Sequence, residues 1–308
     1  MRVLLAVHEE DDFEAWRAAF AAHLPEVALH PPTEAPAEVD YAIVWRPRPA
    51  TFTDTRVRKA VFNLGAGVDA LLALDTLPQS TPVFRLEDAG MAMQMAEYVT
   101  CAVLRAYREL DAYAQAQREA LWRKRTRIAK NAFTVGLLGV GVLGRAVARA
   151  LSTFGFPLVG YARSPRQVRD VQMWIGPGAL PAFLAASRVL VCLLPSTPQT
   201  RNMLSRPLLS QLPRGAHLIN VSRGDIVCDE DLLSLLDEGH LASATLDVFH
   251  TEPLPPEHRF WHHPRVTITP HVSAVTLVPE AAEQVVAKIR ALERGVEPAG
   301  RVDRARGY

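Results

Sequence analysis

The stretch from Ala132 to Leu151, AFTVGLLGVGVLGRAVARAL, constrains the fold more than any other part of the chain. An apolar run, Phe133–Leu138, reads as a buried strand. A glycine turn follows it, and a helical pattern starts near Val142. The turn holds Gly139, Gly141 and Gly144 as a complete G-x-G-x-x-G. Each glycine meets a separate steric need. The first permits a sharp turn, the second lets backbone approach a pyrophosphate, and the third lets helix pack closely on strand. Amides at the helix start then face the phosphates, whose charge the helix dipole favours. Strand, turn and helix in this order imply an α/β fold with a Rossmann dinucleotide-binding unit.

A chain of 308 residues has room for two domains, each with its own core. Apolar residues at 49% and charged residues at 22% give an ordinary globular balance. A formal net charge of +1 points away from nucleic acid and from anionic membranes as partners. The three cysteines, Cys101, Cys192 and Cys228, are widely spaced and form no C-x-x-C, so they read as small apolar residues in a reducing compartment. The opening MRVLLAVHEEDD meets acids too early for a signal peptide, and no apolar run reaches the length of about 18 residues that a membrane span needs. A cytoplasmic location is expected.

Ahead of the glycine turn, Arg2–Val7, Val39–Trp45, Val57–Leu64 and Pro82–Leu86 read as strands and Phe13–Leu24 as a helix. Alternation of this kind argues for a second parallel α/β unit, whose ligands lie beyond the carboxyl ends of the strands. Met91–Arg125 reads as one long helical region, with Met95, Val99, Val103, Tyr107, Leu110 and Tyr113 in steps of three or four. Beyond the turn, strands are expected at Pro157–Tyr161, Val189–Leu194, Ala216–Val221, Ala244–Phe249 and Val266–Thr269, with helices at Asp229–Glu238 and Ala281–Leu292. Gly295–Tyr308 reads as a loosely held polar tail. After Pro157–Tyr161 an NAD-selective site places an acid on the ribose 2′-hydroxyl. Here stand Arg163, Ser164 and Arg166, with no acid until Asp170. Guanidiniums and a hydroxyl suit a 2′-phosphate, so NADPH is the expected cofactor and NADH the weaker alternative.

Three polar residues fall at strand ends after the turn: Arg223, Glu252 and His271. Singly they admit ordinary readings, namely a surface ion pair, a solvated carboxylate and a histidine in a turn. As a set on a dinucleotide scaffold they make a site for reducing a 2-oxo acid. The arginine pairs with the substrate carboxylate and polarises the carbonyl, the histidine donates a proton, and the carboxylate orients the histidine. His262 and His263 have no further ligand at metal spacing, so no metal is expected.

The chain resembles the D-isomer-specific 2-hydroxyacid dehydrogenases over essentially its whole length. The likeness is carried by LGAGVD (Leu64–Asp69), AEYV (Ala96–Val99), GVGVLG (Gly139–Gly144), LLPSTPQT (Leu193–Thr200), LINVSRGDIV (Leu218–Val227), LDVFHTEPLP (Leu246–Pro255) and ITPHVSA (Ile268–Ala274). Within that family, Arg85–Val99 is similar to the bacterial glyoxylate/hydroxypyruvate reductases of the A type.

The resemblance implies a flavodoxin-like substrate domain, residues 1–96 completed by 277–308, and a Rossmann domain over 97–276. It implies Arg223 as substrate anchor, His271 as proton donor and Glu252 as its partner. Substrate contacts would come from Trp45, Leu64, Gly65, Ala66 and Gly67 together with Arg223 and His271, the Ala66 and Gly67 amides holding the carboxylate. Cofactor contacts would come from Gly139, Gly141, Val142, Leu143, Gly144, Leu194, Pro195, Thr200, Val221, Ser222, Asp247 and Ser273, besides the 163–166 loop, with Asp247 meeting the nicotinamide carboxamide. The implied reactions are glyoxylate to glycolate and hydroxypyruvate to D-glycerate, by a homodimer. Two departures stand out: the missing acid after Tyr161, and His250 where the family often has an acid. The alternatives are a phosphoglycerate dehydrogenase-like enzyme and a dinucleotide-sensing binding protein on the same scaffold, like the C-terminal-binding-protein corepressors. The absence of long disordered flanks speaks against the latter, and the end of the chain soon after its last helix against the former.

Overall fold

The structure is a computed structural model that describes residues 1–7 and 13–308; the acidic run at 8–12 lies outside the described residues. Two compact units emerge, one formed by Met1–Met91 with Val275–Tyr308 and the other by Ala92–Ala274.

The first unit is built on strands β1 (Arg2–Ala6), β2 (Ala28–His30), β3 (Glu38–Val44), β4 (Arg56–Asn63) and β5 (Val83–Arg85), with helices α1 (Phe13–His23), α2 (Ala50–Asp54) and α3 (Asp69–Leu72). The strands are parallel in the order β2-β1-β3-β4-β5, which is the flavodoxin-like order. Near-continuous apolar runs such as Leu4–Ala6 and Ala42–Val44 suit a parallel sheet covered on both faces, and they are buried. Because every strand runs the same way, Trp45 and the 64–67 loop leave β3 and β4 at one carboxyl edge.

The second unit opens with α4 (Met91–Tyr107), which straddles the boundary, and α5 (Leu110–Arg118). Then come β6 (Val135–Leu138), α6 (Val142–Ser152), β7 (Leu158–Ala162), β8 (Gln172–Ile175), α7 (Leu180–Ala186), β9 (Val189–Cys192), α8 (Arg206–Leu209), β10 (Ala216–Asn220), α9 (Asp229–Asp237), β11 (Leu241–Leu246) and β12 (Val266–Ile268). The strands pair in parallel in the order β12-β11-β10-β9-β6-β7-β8. Side chains alternate between two cores: Val189 and Val191 join one, Leu190 and Cys192 the other. Strand order reverses between β6 and β9, which makes the topological switch point where α/β sheets bind ligands. A last helix, α10 (Val278–Glu293), returns the chain to the first unit and packs on α1.

Two sequence expectations are corrected. Met91–Arg125 is not one helix. Met95, Val99 and Val103 of α4 are buried and Tyr107 packs edge-on against Phe133 and Phe156, but α5 buries no residue. With no apolar anchor beyond Tyr107, the chain bends at Glu109, whose φ of +53° is left-handed. Across the bend Arg105 donates to Asp111 and Arg125 to Glu109, at 2.7 and 2.8 Å. Residues beyond α5 run irregularly to a short turn at Lys130–Ala132, and Trp122 is 98% exposed.

The carboxyl-terminal tail is docked rather than loose. The Arg85 amide donates to the Gly300 carbonyl at 2.9 Å and the Val302 amide to the Val83 carbonyl at 2.8 Å, extending the sheet past β5. Val302 enters the first unit's core, Lys288 donates to the Ala299 carbonyl, and Arg304 donates to the Pro78 and Thr81 carbonyls. The composition of the tail is polar, but the unpaired edge of β5 supplies partners for its backbone. Val302→Asp places an acid in this apolar contact and is expected to cost about 1–3 kcal/mol, read as a lower denaturant midpoint at unchanged slope. An unchanged midpoint would mean that the tail does not belong to the core.

Candidate active site

The glycine turn sits at the carboxyl end of β6. A Cβ on Gly139 would lie 2.8 Å from the Leu193 carbonyl oxygen, and one on Gly144 only 2.3 Å from that of Gly139. These positions admit no side chain. A Cβ on Gly141 would meet nothing within 4 Å. Gly141 is also the N-cap of α6 and offers no side chain to its first amides. Open space above helix amides is what a pyrophosphate fills, so the residues fit a dinucleotide. Val142 and Leu143 form the first turn of α6.

Beyond β7, Arg163, Ser164 and Arg166 are all exposed on the adjacent strand end. Burial pushes the Tyr161 phenol above its usual pKa, and the charge of Arg163 opposes that shift, which places the guanidinium near the end of β7. Beyond β9, the 193–200 loop is tied by its own threonine: Thr200 Oγ1 donates to the Pro195 carbonyl at 2.7 Å and accepts from the Thr197 amide at 2.8 Å. Leu194 and Pro195 are half-buried in that loop. Ser196 donates to Asp225 Oδ2 at 2.7 Å, joining the loop to the segment after β10.

That segment carries Val221, Ser222 and Arg223. Buried Asn220 organises it, accepting from the Ser222 hydroxyl at 2.7 Å and donating to the Arg223 carbonyl at 3.0 Å. Arg223 Nη1 donates to the Ser222 carbonyl at 2.7 Å. Gly224 lies flat on the loop after β11, where a Cβ would come within 1.9 Å of the Phe249 carbonyl carbon.

Asp247 directly follows β11 and is fully buried. Its Oδ1 accepts from Thr269 Oγ1 at 2.6 Å and the Val272 amide at 2.9 Å, and its Oδ2 from the Ser273 amide at 2.9 Å. The carboxylate thus shapes the turn after β12, in which His271 adopts a left-handed φ of +55°. Its backbone amide donates to the Asp247 carbonyl at 2.8 Å. Tyr98 OH stands 2.5 Å from Thr269 Oγ1 and extends this network onto α4; burial raises its phenol pKa. His271 Nδ1 lies 2.7 Å from Glu252 Oε2, and Glu252 Oε1 accepts from the Phe249 amide at 3.1 Å. Both side chains are part-exposed, at 32% for His271 and 24% for Glu252.

In the first unit, Trp45 packs so closely on Gly65 that a Cβ there would come within 2.3 Å of the indole. Asn63 Nδ2 donates to the Gly65 and Gly67 carbonyls at 3.1 and 2.9 Å, and Thr276 Oγ1 to the Leu64 carbonyl at 2.9 Å. Asn63 and Thr276 turn the loop's carbonyls inward. Among the described residues, none accepts a hydrogen bond from the Ala66 or Gly67 amide. Also among the described residues, no group of three His, Cys, Asp or Glu is placed to hold a metal, and no helix is long and apolar enough to cross a membrane. His263 Nε2 lies 3.2 Å from Asp237, and Trp261 Nε1 donates to the Pro255 carbonyl.

A parallel sheet with a glycine-turn phosphate cradle, and an imidazole–carboxylate pair on the same edge, is the frame of a dinucleotide-linked oxidoreductase. Residues 100–273 match the family model for the NAD-binding domain of D-isomer specific 2-hydroxyacid dehydrogenases, and the chain belongs to that family. It is 45% identical over 313 residues to a glyoxylate/hydroxypyruvate reductase A of Serratia proteamaculans, covering 99% of each chain. Among solved structures, a D-isomer specific 2-hydroxyacid dehydrogenase from Xanthobacter autotrophicus, in complex with NADPH and MES, aligns with TM-score 0.94 at 39% identity, covering 100% of this chain and 99% of that one. An NADPH-dependent glyoxylate/hydroxypyruvate reductase from Sinorhizobium meliloti, with NADP and sulfate, aligns with TM-score 0.92 at 35% identity, covering 100% and 99%.

Sequence reasoning assigned no role to Asn220 and Tyr98. Tyr98 lies within the AEYV motif and Asn220 within LINVSRG, so position in a motif was the available signal. Their partners, Thr269 and the Arg223 carbonyl, emerge only when the chain is folded.

Proposed function

We propose that this chain is an NADPH-dependent reductase of small 2-oxo acids, converting glyoxylate to glycolate and hydroxypyruvate to D-glycerate. The observation that carries the reading is the 2.7 Å contact of Glu252 with His271 Nδ1, on the same sheet edge as Arg223 and the glycine turn. Bound at that turn, NADPH supplies the hydride. Glu252 accepts from His271 Nδ1–H, which leaves the opposite nitrogen, Nε2, to hold the proton that the new alkoxide needs. Arg223 binds the substrate carboxylate through its planar fork and draws electron density from the carbonyl oxygen. In the first unit, the Ala66 and Gly67 amides contribute to carboxylate binding, with Trp45 and Leu64 as pocket walls. The same reading includes a cytoplasmic homodimer. Two relatives with NADPH or NADP bound support the choice of cofactor, and the reductase names of the Sinorhizobium meliloti and Serratia proteamaculans relatives support the choice of substrate.

The direct test is oxidation of NADPH and NADH against a panel of 2-oxo acids, glyoxylate and hydroxypyruvate included. No turnover of either with either cofactor would sink the proposal. Cofactor choice has its own test, because Arg163 and Arg166 stand where an acid would select NAD. A charge-assisted contact to the 2′-phosphate is worth about 1.5–3 kcal/mol, so Arg163→Ala should lower kcat/KM for NADPH by about tenfold or more and spare NADH. Equal losses with both cofactors would remove Arg163 from the phosphate site.

A further inference from the structure

Glu252 and Arg223 stand on separate irregular segments, after β11 and after β10. The hydrogen-bonded ladder between those strands stops at Asn220 and Leu246, short of both side chains. Something else must fix the two segments against each other.

His250 is placed to do so. Its Nε2 lies 2.8 Å from the Val227 carbonyl oxygen. A carbonyl only accepts, so Nε2 carries the proton and donates. Val227 lies four residues after Arg223, and His250 two before Glu252. The same Nε2 is 3.7 Å from Asp229 Oδ1. On the other carboxylate oxygen, His258 Nε2 lies 3.5 Å from Asp229 Oδ2. His258 Nδ1 accepts from the Phe260 amide, at 3.3 Å, so its Nε2 is the protonated nitrogen and also donates. Asp229 therefore lies between both imidazoles, bonded to His258 and within ion-pair reach of His250, one from each end of the loop that bears Glu252. Burial raises the Asp229 carboxyl, and the two histidines oppose that shift. The backbones close the same joint, since Gly224 lies against Phe249 and His250 with no room for a Cβ. Finally, the Phe249 amide holds Glu252 Oε1, so the turn that His250 pins is the turn that aims Glu252 at His271.

We infer that His250, with Asp229 and His258, is a positioning staple that sets Glu252 against Arg223 and thereby aligns His271 as proton donor. The inference rests on the proposed reductase chemistry. None of the three residues needs to touch substrate or cofactor.

The test compares His250→Ala with His250→Gln in the full-length protein. Glutamine keeps an N–H donor near the position of Nε2. Small misplacements of catalytic groups cost up to about a hundredfold, so His250→Ala should lower kcat by about ten- to a hundredfold, with NADPH Kd and Tm near native. His250→Gln should recover most of that loss. A second readout needs no cofactor: the low-field proton resonance of His271 Nδ1–H bonded to Glu252, assigned by its loss in Glu252→Gln. It should shift or vanish in His250→Ala and persist in His250→Gln. The staple is overturned if His250→Ala leaves both kcat and that resonance unchanged. It is also overturned if kcat falls while the resonance persists, or if rate, NADPH affinity and Tm all fall together in both variants. A native protein that reduces no 2-oxo acid would overturn the proposed function instead, and the resonance would still decide whether the staple exists.

Discussion

His271→Ala is expected to lower kcat for 2-oxo acid reduction by about 100- to 10,000-fold, the range that a positioned general acid supplies. Hydride arrival at a carbonyl carbon leaves charge on oxygen, and that charge must be neutralised in the transition state. The loss should therefore fall on kcat and kcat/KM alike, with little change in KM, since the proton is delivered only there. NADPH affinity should hold, because the phosphate site proposed above is the glycine turn between β6 and α6, not the turn after β12. The backbone limits the choice of variant. At φ +55° His271 sits in the left-handed region, which Asn tolerates better than most residues, so His271→Asn is the control for folding. Both variants should fold and both should be slow. Glu252→Gln should give a smaller loss, because it keeps the shape while weakening the grip on His271 Nδ1. An alanine variant within about tenfold of native kcat would take the proton-donor role from His271.

How much of this was legible beforehand depended on the range of the interaction. The glycine turn is a local device: strand, three glycines and helix fit within twenty residues, and the pattern fixed both the element and its ligand class. Strand cores were legible for the same reason, since runs such as Val189–Cys192 are buried on both faces. The weakest readings came where a local pattern met a distant partner. Tyr113 keeps helical spacing with Tyr107, yet no core faces α5, and periodicity alone cannot show that a face has lost its partner. The tail looked loose because its anchors, Val83 and Arg85, lie more than two hundred residues upstream. Short edge elements such as β2 and β8 carry weak apolar signals, because one side of each is open. In the site, Arg223, Glu252 and His271 stood out by chemistry and by place at strand ends. The residues that hold them did not: Asn220, Asp229 and Tyr98 act through contacts that neither composition nor spacing encodes.

Arg223→Lys is the second large expected effect, and it separates charge from geometry. Lysine keeps the positive charge but replaces a rigid planar fork with a single mobile ammonium. A 2-oxo acid presents its carboxylate and carbonyl oxygens in one plane, so a fork can grip them together and a point charge cannot. The structure shows how the fork is held: Nη1 donates to the Ser222 carbonyl, and Asn220 fixes the Arg223 carbonyl. A lysine ammonium in that place would be drawn to the same Ser222 carbonyl, leaving less for substrate. Loss of one charge-assisted contact is worth about 1.5–3 kcal/mol, so kcat/KM for the oxo acid should fall about 10- to 150-fold. Here the loss should divide between KM and kcat, since the carboxylate is gripped in the ground state and the polarised oxygen mostly in the transition state. That division is the contrast with His271→Ala, where KM stays. Arg223→Gln, which keeps planarity without charge, should be at least as impaired as lysine, because the carboxylate then meets no cation. NADPH binding should stay near native in both variants. Measured kcat/KM near native in Arg223→Lys would show that charge alone suffices, and the fork would then have no part in holding the substrate.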